Sequence, residues 1–288
     1  NNIDKICDGY NMLTNRGPDQ GCLGITNNNI IMGFRRLAIV DTTPLGMQPF
    51  SYNGAQMVCN GEIYNHKHLE EIYNIECVSG SDCECILPLF FKLGFDNMIQ
   101  VLNGDFAIVI AYNNIIYYAR DRIGVRPLFQ GTTTDGNFAL ASYARTLTSF
   151  CDNVEQVVPG WGTYNTLSIE NNNHQQYNLT LGPVFVGNIE QNIRDTLTLA
   201  VKDRLMSDRP IGCLLSGGLD SSIITSIVCK LIGPENVKTY SIGMKGSTDL
   251  FFAKKVSEYL GTKHTEILFT PQEGFEAIHS VIKDIESY

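Results

Sequence analysis

Little in this chain places it outside the ordinary globular proteins. Its longest strongly apolar run is about seven residues, Phe106 to Tyr112, where a membrane helix needs roughly 20. No secretory or transit-type segment opens it. No basic block or stripe is present: 30 acidic residues outnumber 21 basic ones, for a net charge of −9, so a phosphate-neutralising nucleic-acid face is not expected. No CxxC pair occurs among the nine cysteines, and Cys83 and Cys85 make only a CxC. An odd number of cysteines in a chain too long to need disulfide staples reads as reduced thiols, hence a cytoplasmic location. No internal repeat is found. At 43% hydrophobic and 18% charged residues, the composition excludes disorder, collagen-like structure and coiled coil as the main architecture.

At 288 residues the chain is long enough for about two domains of roughly 100–200 residues each. Composition changes near residue 190: 24 of the 25 asparagines lie at or before Asn192, and only three of the 11 lysines lie before it. The stretch 171–188 lacks periodicity and is rich in Asn, Gln and Gly, so it reads as a linker between domains at 1–180 and 189–288. The first part reads mostly as short strands at Asn29–Phe34, Ala55–Cys59, Phe106–Tyr112, Ile115–Arg120, Phe138–Ser142 and Gly162–Leu167. Helices are expected at 3–14 and 82–101, and Asn113-Asn114 as a tight hairpin turn. This is a β-rich α+β domain.

The second part alternates. Strands are expected at Ile211–Leu215, Val237–Gly243 and His264–Phe269, and helices at Ser221–Ile232 and Leu250–Leu260. Thr270-Pro271-Gln272-Glu273 is a capping box with proline at the first helical position. The helix it opens places Phe275, Ile278, Val281, Ile282 and Ile285 on one side. Such alternation implies a parallel, doubly wound α/β sheet.

Leu214-Leu215-Ser216-Gly217-Gly218-Leu219-Asp220-Ser221-Ser222 lies between a strand's C-terminal end and a helix N-terminus, where parallel-sheet ligand sites occur. Its glycines let backbone N–H groups approach an anion, its serines add hydroxyl donors, and the helix adds partial positive charge. The plain alternative is a glycine turn with serine caps. The loop lacks both GxxxxGK[ST] and the GxGxxG spacing.

Upstream, Asn15-Arg16-Gly17-Pro18-Asp19 is a polar turn. Gly33-Phe34-Arg35-Arg36-Leu37-Ala38-Ile39-Val40-Asp41 sets two arginines in an apolar stretch, so at least one should meet a carboxylate; an edge strand with solvated arginines is the alternative. Cys59-Asn60-Gly61-Glu62 reads as a strand ending in an Asn-Gly turn, which could aim a side-chain amide and a backbone N–H at one point or be an ordinary hairpin. Asp82, in Gly80-Ser81-Asp82-Cys83-Glu84, stands where a helix N-cap is the simple reading. Arg120-Asp121-Arg122-Ile123-Gly124-Val125-Arg126-Pro127-Leu128 reads alone as a salt-bridged bend.

Ser-Gly-Gly-x-Asp-Ser resembles the signature of the ATP pyrophosphatases. The five upstream segments, in this order, resemble a class II glutamine amidotransferase domain of the N-terminal-nucleophile type. Together they are similar to the glutamine-hydrolysing asparagine synthetase family, over about Ile3 to Tyr288. The resemblance implies an αββα glutaminase sandwich followed by the start of an ATP pyrophosphatase domain. It implies a ligase making asparagine from aspartate through aspartyl-AMP, with ATP, Mg²⁺ and glutamine-derived ammonia. By the same resemblance Arg36, Leu37, Ala38, Ile39 and Val40 would line a glutamine pocket, and Asn60 and Gly61 would form an oxyanion hole. Glu62 and Asp82 would take the glutamine α-amino group. Leu214 and Ile242 would contact adenosine; Ser216, Gly217, Gly218, Asp220 and Ser221 would hold pyrophosphate, with Asp220 helping to place Mg²⁺. Asp249 matches an acidic position of the synthetase site. Homodimers are common in the family.

The family's nucleophile is an N-terminal cysteine whose α-amine serves as base. This chain opens Asn1-Asn2-Ile3, and Cys7 is internal, so its nitrogen is an amide and cannot be that base. The true N-terminus is expected to lie outside this sequence, as is the C-terminal part of the synthetase domain. The alternatives are a related synthetase that closes a β-lactam or amidates another carboxylate, and a non-catalytic homologue that binds glutamine and ATP. Ser142-Tyr143-Ala144-Arg145 departs from the family's usual Ser-Glu-x-Lys.

Overall fold

The computed structural model describes residues 2–26, 29–166, 169–176 and 187–286. The chain divides into two compact units, Asn1–Gly182 and Pro183–Tyr288. The first contains α1 (Asn2–Met12), β1 (Gln20–Ile25), β2 (Ile31–Arg36), β3 (Phe50–Tyr52), β4 (Ala55–Ile63), α2 (His66–Ile72), α3 (Ile86–Leu93) and α4 (Phe95–Val101). These are followed by β5 (Gly104–Tyr112), β6 (Ile115–Arg120), β7 (Phe129–Thr132), β8 (Phe138–Ala141), α5 (Ala144–Leu147), β9 (Asn153–Gln156), β10 (Trp161–Thr166) and β11 (Ile169–Gln176).

Among the described residues, six strands form an antiparallel sheet in the order β11-β10-β6-β5-β4-β3. Side chains alternate across it. Phe106, Ile108 and Ile110 of β5 join Met57, Cys59 and Ile63 of β4 beneath Ile86, Leu89 and Phe90 of α3 and Met98 and Ile99 of α4. On the opposite face Ala107, Ile116 and Tyr118 pack with Leu128 and Val157. Burial on both faces explains why β5 reads as an unbroken apolar run rather than an alternating one. The second layer holds the pair β1-β2 and the three-stranded sheet β8-β7-β9. Helix α5 packs on the three strands, and α1 packs on α5 and β2. Helix, sheet, sheet and helix form the expected αββα sandwich.

The β5–β6 hairpin turns through Asn113 and Asn114, both at positive φ (49° and 60°). Asparagine tolerates that region, and the turn's twist matches the strands.

Three local expectations are corrected. The helix expected over 82–101 is two, α3 and α4, because Gly94 (φ 74°) donates its N–H to Phe90 while its carbonyl accepts from Met98. Asn60-Gly61 is no turn: β4 continues to Ile63, with Asn60 opposite Ala107 and Gly61 opposite Phe106. Of the expected linker, residues 171–176 belong to β11 and pair with β10; a partner strand supplies the order that composition did not indicate. The remainder to 186 lies outside the described residues, as do Leu167, Ser287 and Tyr288.

The second unit contains α6 (Ile189–Asp203), β12 (Gly212–Leu214), α7 (Leu219–Ile232), β13 (Lys238–Gly243), α8 (Thr248–Leu260), β14 (Lys263–Leu268) and α9 (Pro271–Ile285). Its strands are parallel in the order β12-β13-β14. Val201, Cys213, Val228, Cys229 and Val237 form its core. The capping box at Thr270 and Glu273 is present. Helix α6, which sequence patterning did not single out, is capped by the Asn188 side chain accepting from Gln191 N–H.

Candidate active site

The first unit encloses a cavity of about 1860 Å³. Arg36, Leu37, Ile39, Val40, Asn60, Gly61, Glu62 and Asp82 all line it. Residues from β2, β4 and the segment before α3 are thus brought to one cavity. Ala38 points elsewhere: it is buried, its N–H donates to Asp19 Oδ2 at 2.9 Å, and it is absent from the lining.

Arg36 is buried at the end of β2. Its Nη1 donates to Gln20 Oε1 (3.0 Å) and Thr43 O (2.6 Å), and its Nη2 to Val40 O (3.4 Å) and Asp41 O. Expectation had one of the two arginines meeting a carboxylate. Neither forms an ion pair among the described residues; carbonyl oxygens of the following loop accept the Arg36 hydrogen bonds, while Arg35 donates to Asn11 Oδ1 and stacks over the Tyr10 ring. Asp41 fixes the same loop. It accepts from Thr43 N–H and Oγ1 and from Gly80 N–H. Burial would raise its carboxyl pKa, but these hydrogen bonds and the Arg36 charge outweigh burial and hold it below the ordinary range.

Asn60 and Gly61 sit mid-strand. The Asn60 Nδ2 is buried and has no hydrogen-bond partner among the described residues. Gly61 is required by close approach: a Cβ there would overlap the Asp105 carbonyl of β5. The backbone at Cys59 is gripped from the side by Gln48, whose Nε2 donates to Cys59 O (3.1 Å) and whose Oε1 accepts from Cys59 N–H (2.6 Å).

Glu62 Oε2 accepts from Arg126 Nη2 at 2.7 Å. Asp82 is buried and accepts from Ile63 N–H at 2.7 Å. It is not a helix cap, since α3 begins at Ile86. Burial raises its pKa, outweighing the Ile63 hydrogen bond and nearby His66.

Sequence reasoning missed Arg126, Gln48 and Asp41 as site-forming residues. Arg126 stood in the charged bend, but nothing local ties it to Glu62. The bend is built by Asp121, whose carboxylate accepts from the N–H groups of Ile123, Gly124, Val125 and Arg126, and by Arg120, which donates to the carbonyls of Gly124, Arg126 and Val157. That arrangement aims Arg126 at the cavity.

In the second unit, Ser216 to Ser221 form a compact loop. Ser216 Oγ meets Ser221 Oγ at 3.0 Å and accepts from Gly218 N–H at 3.3 Å. Gly217 has φ 79°, and a Cβ there would overlap the backbone of Phe252 and Ala253 in α8. Gly218 caps α7 without any side-chain cap hydrogen bond, and the first helical N–H of that turn to return to it is Ser222 N–H. Gly218 N–H is taken up by Ser216 Oγ, so it is the N–H groups of Leu219, Asp220 and Ser221, in the first turn of α7, that face an anion site. Leu214 and Ile242 are 82% and 65% exposed, at the C-terminal ends of β12 and β13. Asp220 and Asp249 are exposed in the first turns of α7 and α8. Among the described residues no group of three or more His, Cys, Asp or Glu could hold a metal ion, and no helix is long and apolar enough to cross a membrane.

A family model described as a glutamine amidotransferase domain matches residues 2–179, and one described as asparagine synthase matches residues 192–287. The chain is 42% identical to a protein named as a probable glutamine-hydrolysing asparagine synthetase of Acanthamoeba polyphaga mimivirus, covering 96% of this chain and 56% of that one. It is 37% identical to the glutamine-hydrolysing asparagine synthetases of Rattus norvegicus and Homo sapiens, covering 96% of this chain and 55% of each. The chain thus spans a little over half the length of these relatives. Among solved structures, glutamine phosphoribosylpyrophosphate amidotransferase from B. subtilis, complexed with ADP and GMP, is similar with a TM-score of 0.51 at 15% identity, covering 94% of this chain and 66% of that one. At that identity the likeness is one of fold alone.

Proposed function

The chain belongs to the glutamine amidotransferase domain family, continued by an asparagine synthase-type segment, and from that premise we propose that it serves glutamine-dependent synthesis of asparagine from aspartate and ATP. Residues 1–180 would form the glutaminase part and residues 189–288 the start of the ATP-using part.

The observation that carries the first half is the buried Asn60 Nδ2 without a partner. A buried amide donor costs about 1–3 kcal/mol when unsatisfied, so a cavity that keeps one is furnished for a ligand. Attack of a thiolate on the glutamine carboxamide puts negative charge on its oxygen. Asn60 Nδ2 and the backbone at Gly61 stabilise that charge. Collapse, with the proton lost by the thiol passed to the amide nitrogen, expels ammonia and leaves a thioester, which water hydrolyses to glutamate. Glu62 and Asp82 face the α-amino group, and Arg36 with the backbone from Leu37 to Val40 borders the α-carboxylate.

In the second half, the Ser216–Ser221 loop and the open N-terminus of α7 receive the β- and γ-phosphates, and Leu214 and Ile242 offer apolar surface to the adenosine. The aspartate side-chain carboxylate attacks the α-phosphate and pyrophosphate leaves. Ammonia then attacks the acyl carbon and AMP leaves. Asp220, exposed in the first turn of α7, would help hold a Mg²⁺ ion, which would supply charge neutralisation for the departing pyrophosphate. The protein would act in the cytoplasm.

The test uses the intact protein with L-glutamine, L-aspartate and MgATP. Asparagine, glutamate, AMP and pyrophosphate should form in equal amounts. Release of ADP and phosphate, or product formation that does not depend on aspartate, would sink the proposal. In the second case, identifying the amidated product would point to a different acceptor on the same scaffold.

A further inference from the structure

We propose that Tyr143 is a positioning residue of the glutamine cavity, acting through Arg16; the inference rests on the glutamine reading of that cavity. Tyr143 is only 6% exposed. The Arg16 guanidinium carbon lies 4.8 Å from its ring centroid and that of Arg145 lies 4.0 Å from it. Both are within the roughly 6 Å over which a ring's negative face attracts a cation.

The ring is itself anchored. Tyr143 precedes α5, and its carbonyl accepts from Thr146 N–H (3.3 Å) and Thr146 Oγ1 (2.7 Å). The Arg16 backbone is held as well: its N–H donates to Leu13 O at 3.0 Å. Its neighbour Gly17 packs so closely that a Cβ there would overlap the backbone of Arg35 and Arg36. What remains to be fixed is the long Arg16 side chain. Arg16 lines the cavity, and its guanidinium makes no hydrogen bond or ion pair among the described residues. The aromatic face is what holds it.

A held cation matters at this wall. Arg36 directs Nη1 and Nη2 at oxygens of Gln20, Val40, Asp41 and Thr43, which leaves it less to offer the α-carboxylate of a bound amino acid. Arg16 adds a positive charge whose donors are open to that ligand. An arginine loses rotamer freedom on being ordered; stacking on a buried ring removes that loss before the ligand arrives and so strengthens binding.

The test is a double-mutant cycle in the intact protein, reading KM and kcat for glutamate release from L-glutamine. Tyr143→Leu should raise KM roughly 3- to 10-fold, the range of a partly desolvated cation–π contact, with a smaller change in kcat. Arg16→Met should raise it at least as much. The double variant should match Arg16→Met alone, because of the two arginines on the Tyr143 ring only Arg16 lines the cavity. Tyr143→Phe should stay near the unsubstituted protein. Multiplying effects in the double variant, or a Phe variant as weak as the Leu variant, would overturn the inference. If Tyr143→Leu does not fold, fluorinated phenylalanines at position 143 weaken the ring's negative face without changing its shape, and KM should climb with fluorination; a flat series overturns the inference. Failure of the unsubstituted protein to bind glutamine at all would overturn the parent reading and this inference with it, whereas binding with an additive cycle overturns this inference alone.

Discussion

Nη2 of Arg126 lies 2.7 Å from Oε2 of Glu62, joining residues 64 positions apart at the wall of one cavity. Glu62 comes from a central strand and Arg126 from a bend organised by Asp121. The pair keeps a carboxylate in a partly buried place, with side-chain exposures of 30% for Arg126 and 17% for Glu62. Glu62→Gln should therefore weaken glutamine binding by roughly 10- to 100-fold, the range for one charge-assisted hydrogen bond to the α-amino group. Titration calorimetry with L-glutamine reads it directly; unchanged affinity would remove Glu62 from the site. Arg126→Leu should lower thermal stability, because it strands the Glu62 charge.

Asn60→Ala separates activity from folding. Removing one oxyanion donor costs about 10²–10³ in kcat. Because Asn60 Nδ2 has no partner among the described residues, its loss should leave the melting temperature unchanged or slightly raised. A variant that melts much lower would show instead that this amide supports the fold.

Gly217→Ala tests the loop of the second unit. The new Cβ would meet the backbone of α8 at a positive φ. The strained backbone alone costs about 1–2 kcal/mol, and relief requires moving the loop proposed to bind phosphate. ATP binding should fall below detection while Gly246→Ala, at another positive φ but with open space around its Cβ, leaves it largely intact. Equal loss in both variants would argue against a specific role for the packed loop.

Two buried carboxyls of the first unit should titrate stability in opposite senses. The Asp82 pKa is raised chiefly by burial, so the native state holds that proton more tightly than the unfolded chain does. Its charge therefore penalises the native state as pH climbs from the ordinary carboxyl range near 4, and fully above the raised native value. Asp82→Asn should gain stability over the parent at pH 7, with the gain vanishing below about pH 4. Burial also acts on Asp41, but hydrogen bonds from Thr43 and Gly80 and the Arg36 charge win and lower its pKa. Its contribution is present above the ordinary range and is lost as pH falls below about 4. Asp41→Asn should lose stability at pH 7 and converge with the parent in acid. Melting temperatures between pH 3 and 8 decide both; parallel curves would refute the assignment.

Thiol labelling should follow burial. Cys22 is exposed, whereas Cys83 and Cys85 are buried. Burial, aided by Glu70 and Glu84, pushes the Cys77 thiol up to about 12, so little thiolate exists there at neutral pH. A limiting alkylating agent followed by peptide mapping should find Cys22 modified first and Cys77, Cys83 and Cys85 last. Early modification of Cys83 would expose a reactive thiol inside the cavity.

Much of this was legible along the chain because its causes are local. The capping box at Thr270, the Asn113-Asn114 hairpin, the strand–helix alternation after residue 189 and the Ser216–Ser221 loop each depend on residues a few positions apart. The gathering of β2, β4 and the Asp82 segment followed from resemblance rather than from pattern. Where local reading failed, a distant partner had decided. Asn-Gly is a turn signal by itself, yet at Asn60-Gly61 it is held straight by pairing with Ala107 and Phe106.

The sequence by itself determined the strand–helix alternation after residue 189, the central strands of the first unit and which short segments stand out from plain structure, since hydrophobic period, caps and glycine loops act through neighbouring backbone. Only the tertiary structure decided how those segments are engaged. Arg36 went to carbonyls rather than a carboxylate, Asp82 to the Ile63 N–H rather than a helix cap, Glu62 to Arg126, and Asn60 Nδ2 to no group among those described. Each outcome depends on which polar group another strand or loop brings within hydrogen-bond distance in a space closed to water, where an unmade bond is costly. Spacing along a chain carries no record of that distance.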